Sequence, residues 1–146
     1  MEICIDFDGT CVTHEFPKVG KDIGAAPVLK KLVEVGHKLI LFTMRSNRPV
    51  SNETGDPLIM DVTGMFLDDA VNWFKRNDIP LHGINKNPTQ KNWTSSPKAY
   101  GQLYIDDAAL GCPVKLAYSD NQENRIIKYV DWVKVEEMLK AMGVLS

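Results

Sequence analysis

Short apolar runs and amphipathic stretches take turns along this chain. Glu2 to Asp6 and Lys38 to Thr43 hold the continuous runs Ile3-Cys4-Ile5 and Leu39-Ile40-Leu41-Phe42. Runs of this kind fit strands covered on both faces, as in parallel sheets. Between them, Ile23 to Val35 sets Ala26, Leu29, Leu32 and Val33 on one face and stops at Gly36, which predicts a helix. Phe66 to Lys75 repeats the pattern with Phe66, Ala70, Val71 and Phe74, and Asp78-Ile79-Pro80 closes it. Leu81 to Ile84 and Gln102 to Ile105 are further short strands. A last helix carries Trp132, Val135, Leu139 and Met142 behind an Asp131 cap and ends at Gly143.

Two features interrupt this alternation. Val114 to Tyr118 and Arg125 to Val130 flank a polar turn from Ser119 to Asn124, which predicts a hairpin. Met44 to Thr63, with Pro49, Gly55 and Pro57, and Asn85 to Pro97 read as long polar loops, a length that often serves function. Strands alternating with helices predict an α/β fold with a mostly parallel central sheet.

Composition narrows the picture. The 146 residues argue for one domain spanning 1–146, and 44% hydrophobic with 25% charged residues is an ordinary mix for a globular domain. No apolar run approaches the ~20 residues of a membrane span. Seventeen basic against nineteen acidic residues leave a net charge of −2, so a globally basic nucleic-acid binder is excluded and nucleic acid is not indicated as a partner. Cys4, Cys11 and Cys112 match no zinc spacing and read as reduced thiols. With no basic, apolar leader after Met1, the expected location is cytoplasmic.

The candidate chemistry collects where strands end. Asp6 and Asp8 follow the first strand, Thr43 the second, and Asp106-Asp107 a later one. In open α/β sheets, ligands bind outside the carboxyl ends of the strands. Up to four carboxylates in a small volume repel one another unless one protonates or a cation binds, and an oxygen-only donor set suits Mg²⁺.

These residues carry a family resemblance. Asp6-Phe7-Asp8-Gly9-Thr10 resembles the first motif of the haloacid dehalogenase-like hydrolase superfamily. The run ending in Thr43 is similar to its second motif, and Leu103-Tyr104-Ile105-Asp106-Asp107 to the paired-acid form of its fourth. The third motif is a lysine, assigned to Lys98 ahead of Lys86 and Lys91. The resemblance covers about residues 1–110. It implies a Rossmann-like three-layer sandwich and Mg²⁺-dependent phosphomonoester hydrolysis through an aspartyl-phosphate. Asp6 would be the nucleophile. Asp8 would be the general acid and base, its proton affinity raised by crowding carboxylates. Asp6, Asp106, Asp107 and the Asp8 carbonyl would hold the metal. Phosphoryl oxygens would fall to Thr43, to the backbone around Met44, and to Lys98, which would also offset the charge on Asp6.

Around this set the residues offer weaker candidates. Arg45 could reach a substrate anion or be a solvated surface arginine. Arg48 and His14 are possible substrate contacts, and Trp93 is a candidate for stacking. His37 and His82 read as structural, and Trp73 and Trp132 as core. Cys11 to Asp22 is too short for a folded cap, so a capless member with an open site is expected. Such a site takes a phosphorylated small molecule or a macromolecule, and a second copy of the chain could cover it. The competing readings are a nucleic-acid or nucleotide end phosphatase of the same fold, and a non-enzymatic phospho-receiver or binding module.

Overall fold

The structure, a computed structural model, describes residues 1–48, 63–118 and 125–146. In chain order the elements are β1 (Glu2–Ile5), α1 (Ala25–Glu34), β2 (Lys38–Leu41), β3 (Asn47–Arg48), β4 (Gly64–Met65), α2 (Phe66–Arg76), β5 (Gly83–Ile84), β6 (Leu103–Ile105), β7 (Val114–Tyr118), β8 (Ile126–Val130) and α3 (Trp132–Ala141). Every strand and helix expected from the apolar pattern is present, with no end moved by more than two residues.

Four strands form a parallel sheet in the order β5-β2-β1-β6. Ile3 and Ile5 register with Leu39 and Leu41 on one side of β1, and with Leu103 and Ile105 on the other. This order decides which face each connection crosses. Parallel crossovers are right-handed almost without exception. The steps β1–α1–β2 and β2–α2–β5 run in one direction along the sheet, so both helices lie on one face. The return from β5 past β2 and β1 to β6 runs the other way and crosses the opposite face.

Packing agrees with this reading. One core cluster joins Ile3, Ile5, Leu39, Leu41 and Ile105 to Leu29 and Leu32 of α1, Trp73 and Phe74 of α2, and Val135 and Leu139 of α3. Among the described residues the other face contributes only Cys4, Ile40 and Ala99, with Tyr104 half-buried against them. Residues 85–101 cover that face, and their only helix is a three-residue turn at Gln90–Asn92. Where a three-layer sandwich has helices on both faces, this protein has a loop on one.

Two departures from the sequence reading lie in the loops. Within the stretch read as a loop from Met44 to Thr63, Asn47 and Arg48 of β3 pair antiparallel with Met65 and Gly64 of β4. Strands of two residues have no period to read. Pro49, Gly55 and Pro57 lie outside the described residues. The expected hairpin is present, with β7 and β8 paired from Val114↔Val130 to Tyr118↔Ile126. Its turn, 119–124, is outside the described residues. The Asp131 carboxylate accepts from the Lys134 N–H at 3.2 Å, the cap expected for α3. Among the described residues no helix is long and apolar enough to cross a membrane.

Leu41 is fully buried in β2, which is paired on both sides. Leu41→Ala should cost about 2–5 kcal/mol of stability by chemical denaturation, because a central strand cannot close over the void. A loss under about 1 kcal/mol would mean that this end of the core is loosely packed.

Candidate active site

The carboxyl ends of β1 and β6 lie side by side, and the Asp6 N–H extends their ladder by donating to the Ile105 carbonyl at 3.0 Å. Asp6 therefore emerges beside Asp106 and Asp107. One carboxylate oxygen from each of the three lies within 4.8 Å of the others.

Thr10 and Gly9 let this crowding exist. The Thr10 hydroxyl donates to Asp6 Oδ2 at 2.7 Å and accepts from the Asp107 N–H at 3.0 Å. One hydroxyl thus ties the two strand ends together. The loop that presents it bends back at Gly9, where φ is +80°. A Cβ there would lie 2.7 Å from Asp107 Oδ2, so the position excludes side chains twice over. From behind, the Trp132 indole N–H donates to the Thr10 carbonyl at 2.7 Å. The first turn of α3 is thereby anchored to the acidic loop.

Burial pushes the Asp6 carboxyl up to about 7, and the Asp106 charge adds to that, while the Thr10 hydrogen bond opposes it. The Asp8 carboxylate is not among the three that cluster and is held by Arg45. Arg45 Nε donates to Asp8 Oδ2 and Arg45 Nη2 to Asp8 Oδ1, both at 2.7 Å, a two-pronged fork. Of Asp8, only the backbone carbonyl is left for a metal, not the side chain.

Arg45 itself corrects the sequence reading. It is neither a substrate contact nor a solvated arginine, being 3% exposed. Its remaining donors go to the carbonyls of Pro17, Lys18 and Phe66. All five guanidinium N–H groups are used, and the plane is held between the rings of Phe7 and Phe16, 5.1 and 5.2 Å from their centroids. Placed so, it has nothing to offer a substrate anion.

Thr43 follows β2 at the same end of the sheet. Its N–H donates to Asn85 Oδ1 at 2.8 Å, and its hydroxyl oxygen accepts from the Arg45 N–H at 3.1 Å. Asn85 reaches this position with φ +56°, a left-handed conformation that asparagine tolerates. Met44 is 98% exposed, so its side chain stands in solvent beside the site.

Lys98 is exposed, with its ammonium 5.4 Å from the Tyr104 ring centroid. Among the described residues it makes no ion pair with Asp6. Successive strand residues alternate in face, so Tyr104 and Cys4 share the face of Asp106 and Asp6, one row below them. Lys98 therefore stands on the correct face but one row short. His14 is exposed, Trp73 and Trp132 are core as expected, and Trp93 is exposed. His37 links the N-terminal amine to the Val144 carbonyl, and His82 Nε2 is buried without a hydrogen-bond partner. Cys11 is buried against the Asp6 carbonyl, and burial holds its thiol well above the ordinary range, so it is no nucleophile.

Sequence reasoning did not single out Thr10, Asn85 or Trp132 for the site. Thr10 was visible as the hydroxyl closing Asp-x-Asp-Gly-Thr. Asn85 and Trp132 carry no local signal, because each acts across a long sequence separation.

No known family's sequence profile matches the chain, and no curated protein matches it. Among solved structures, the chain is similar to a conserved protein from Bacteroides thetaiotaomicron. The TM-score is 0.66 with 28% sequence identity, covering 97% of this chain and 91% of that one. The likeness supports the α/β fold along nearly the whole length.

A carboxyl with raised proton affinity destabilises the folded state as pH climbs from its unfolded value of about 4 through about 7. Below both values the effect vanishes. Asp6→Asn removes it. In chelator, urea denaturation should therefore show the variant gaining on wild type by a few kcal/mol, in order of magnitude, between about pH 5 and about pH 8. Parallel profiles would mean that Asp6 is not crowded in the metal-free protein.

Proposed function

We propose that the chain is a Mg²⁺-dependent phosphohydrolase of the haloacid dehalogenase-like superfamily, Rossmann-like and capless, that works through a phosphorylated Asp6. The observation that carries this reading is the meeting of Asp6, Asp106 and Asp107 within 4.8 Å at the ends of adjacent parallel strands. Thr43, on the next strand end, supports it. The donor set also fits the metal. All the groups are hard oxygens, and burial together with the Asp106 charge raises the proton affinity of Asp6, which a bound cation would oppose. Asp6, Asp106, Asp107 and the Asp8 carbonyl would hold Mg²⁺. Once bound, the ion supplies positive charge to the phosphoryl oxygens.

The protein's own residues divide the remaining work. An Asp6 oxygen attacks phosphorus as the bond to the leaving oxygen breaks, and the leaving oxygen takes a proton from Asp8. Water then gives a proton to Asp8 and attacks the aspartyl-phosphate, releasing phosphate and restoring Asp6. A proton on Asp8 displaces one bond of the Arg45 fork, so Arg45 is the positioning residue that sets where that proton is given and taken. Thr43 and Lys98 would bind phosphoryl oxygens, Lys98 by moving one row along the face. As for a cap, the stretch from Cys11 to Asp22 is too short for a folded domain.

Asp6→Asn should abolish turnover of p-nitrophenyl phosphate, and excess chelator should do the same to wild type. Variant activity within about tenfold of wild type, or full activity in chelator, overturns the reading.

Arg45→Lys should leave Mg²⁺ affinity nearly unchanged while slowing phosphoryl-enzyme formation. The slowing should be on the order of a hundredfold with an alkyl phosphate and much less with p-nitrophenyl phosphate, whose leaving group needs no proton. Rapid-quench measurement of the first turnover separates the two. Equal losses would assign Arg45 to the fold alone.

A further inference from the structure

The loop that replaces a helix over one sheet face is strongly ordered for a polar segment. Gln90 and Asn87 are buried within it. The Gln90 amide donates to the carbonyls of Ser96 and Lys98 and accepts from the Tyr100 N–H. Asn87 donates to the Tyr100 carbonyl and accepts from the N–H and hydroxyl of Thr89. Tyr104 ties the far end by donating to the Ala99 carbonyl and accepting from the Gly101 N–H.

What this scaffold displays is aromatic and basic. Trp93 is 61% exposed and meets Tyr100 edge-on at 5.2 Å between centroids. Trp93, Tyr100, Tyr104 and Lys98 line one cavity of about 310 Å³ together with Gln90 and Ser96. Tyr104 in turn meets the half-exposed Phe42 at 6.3 Å, and Phe42 directly precedes Thr43. From Ile79 to Ile105 the sequence holds Lys86, Lys91 and Lys98 and no aspartate or glutamate. All three lysines are exposed. In a chain of net charge −2, this stretch is locally basic.

We propose that this face binds single-stranded nucleic acid, with a phosphorylated end directed at Asp6. The direction of the end rests on the phosphatase reading, and the binding does not. Exposed rings offer stacking to unpaired bases, and interleaved lysines offer charge to the phosphates between them. A duplex already has its bases stacked, and an acidic peptide has no flat groups for Trp93 and Tyr100. The cavity lies on the sheet face from which Asp6 and Asp106 emerge. Tyr104 precedes Asp106 by two residues, roughly 7 Å of strand. A strand lying across the rings therefore arrives at the acidic cluster from its own side. Because Gln90 and Asn87 have fixed the loop in advance, binding does not have to order it.

The test is fluorescence anisotropy of a labelled oligothymidine on full-length Asp6→Asn protein in chelator, so that no turnover intervenes. Inorganic polyphosphate and a duplex of matched length serve as competitors. The oligothymidine should outcompete both. Trp93→Ala should weaken binding about tenfold. Lys91→Ala should lower the slope of log K against log salt by about 0.7, as loss of one phosphate contact on a single strand does. In the Asp6-containing protein, both substitutions should leave p-nitrophenyl phosphate turnover unchanged. Equal competition by polyphosphate, preference for duplex, or indifference to Trp93→Ala overturns the proposal. If the oligonucleotide binds as expected while wild type hydrolyses no phosphomonoester, the phosphatase reading fails and this face stands.

Discussion

Negative charge held at the end of a parallel sheet is the constraint around which this protein is arranged. Parallel strands bring their carboxyl ends together, and here two of those ends carry acids. Asp6, Asp106 and Asp107 converge within 4.8 Å. Such a cluster opposes folding, and its surroundings contain it. The Thr10 hydroxyl bridges Asp6 to the Asp107 backbone, Gly9 removes the side chain that would strike Asp107, and Trp132 pins the loop from the core. Asp8, the other acid of the first motif, is held by Arg45 and is not part of that group.

That last arrangement reaches well beyond the site. Arg45 is buried, which costs a great deal for a lone cation, and is offset only when every donor is used. Its five N–H groups join Asp8 to the carbonyls of Pro17, Lys18 and Phe66. One guanidinium thus couples the loop after β1 to the start of α2. The strain of excess negative charge at one point is spread into the architecture as a cross-link.

How much of this was legible beforehand depends on the distance over which each residue acts. The strands and helices could be read because their signal is local: apolar runs such as Leu39 to Phe42, and a face such as Leu29 and Leu32. The acids and Thr43 could be read because each sits directly after such a run. Arg45 could not, since its environment is made by Asp8, Phe16, Lys18 and Phe66, which only the fold assembles. Lys98 illustrates the limit from the other side. Its place before β6 was read from chain order, yet order does not say how far along the face its ammonium extends. Net charge carries no positional information either. A sum over the chain hides the acid-free stretch between Asp78 and Asp106, which strand order then spreads over one face.

The two faces of the sheet differ because of a topological step, and that difference bears on what an open site is for. Once β6 pairs with β1 on the side away from β2, a right-handed return must cross the face that α1 and α2 leave bare. A helix there would bury Cys4, Ile40 and Tyr104 under its own apolar stripe and leave a polar outer surface. A loop buries the same few groups with backbone and two amides, which frees its own aromatic residues to point outward. Trp93 and Tyr100 are exposed because the covering segment does not need them for its core. Under the capless phosphatase reading proposed above, contacts with whatever carries the phosphate would come from the loops of the sheet itself. Of the described loops, 85–101 combines a hydrogen-bonded scaffold, exposed aromatic rings and three exposed lysines with no acid of its own.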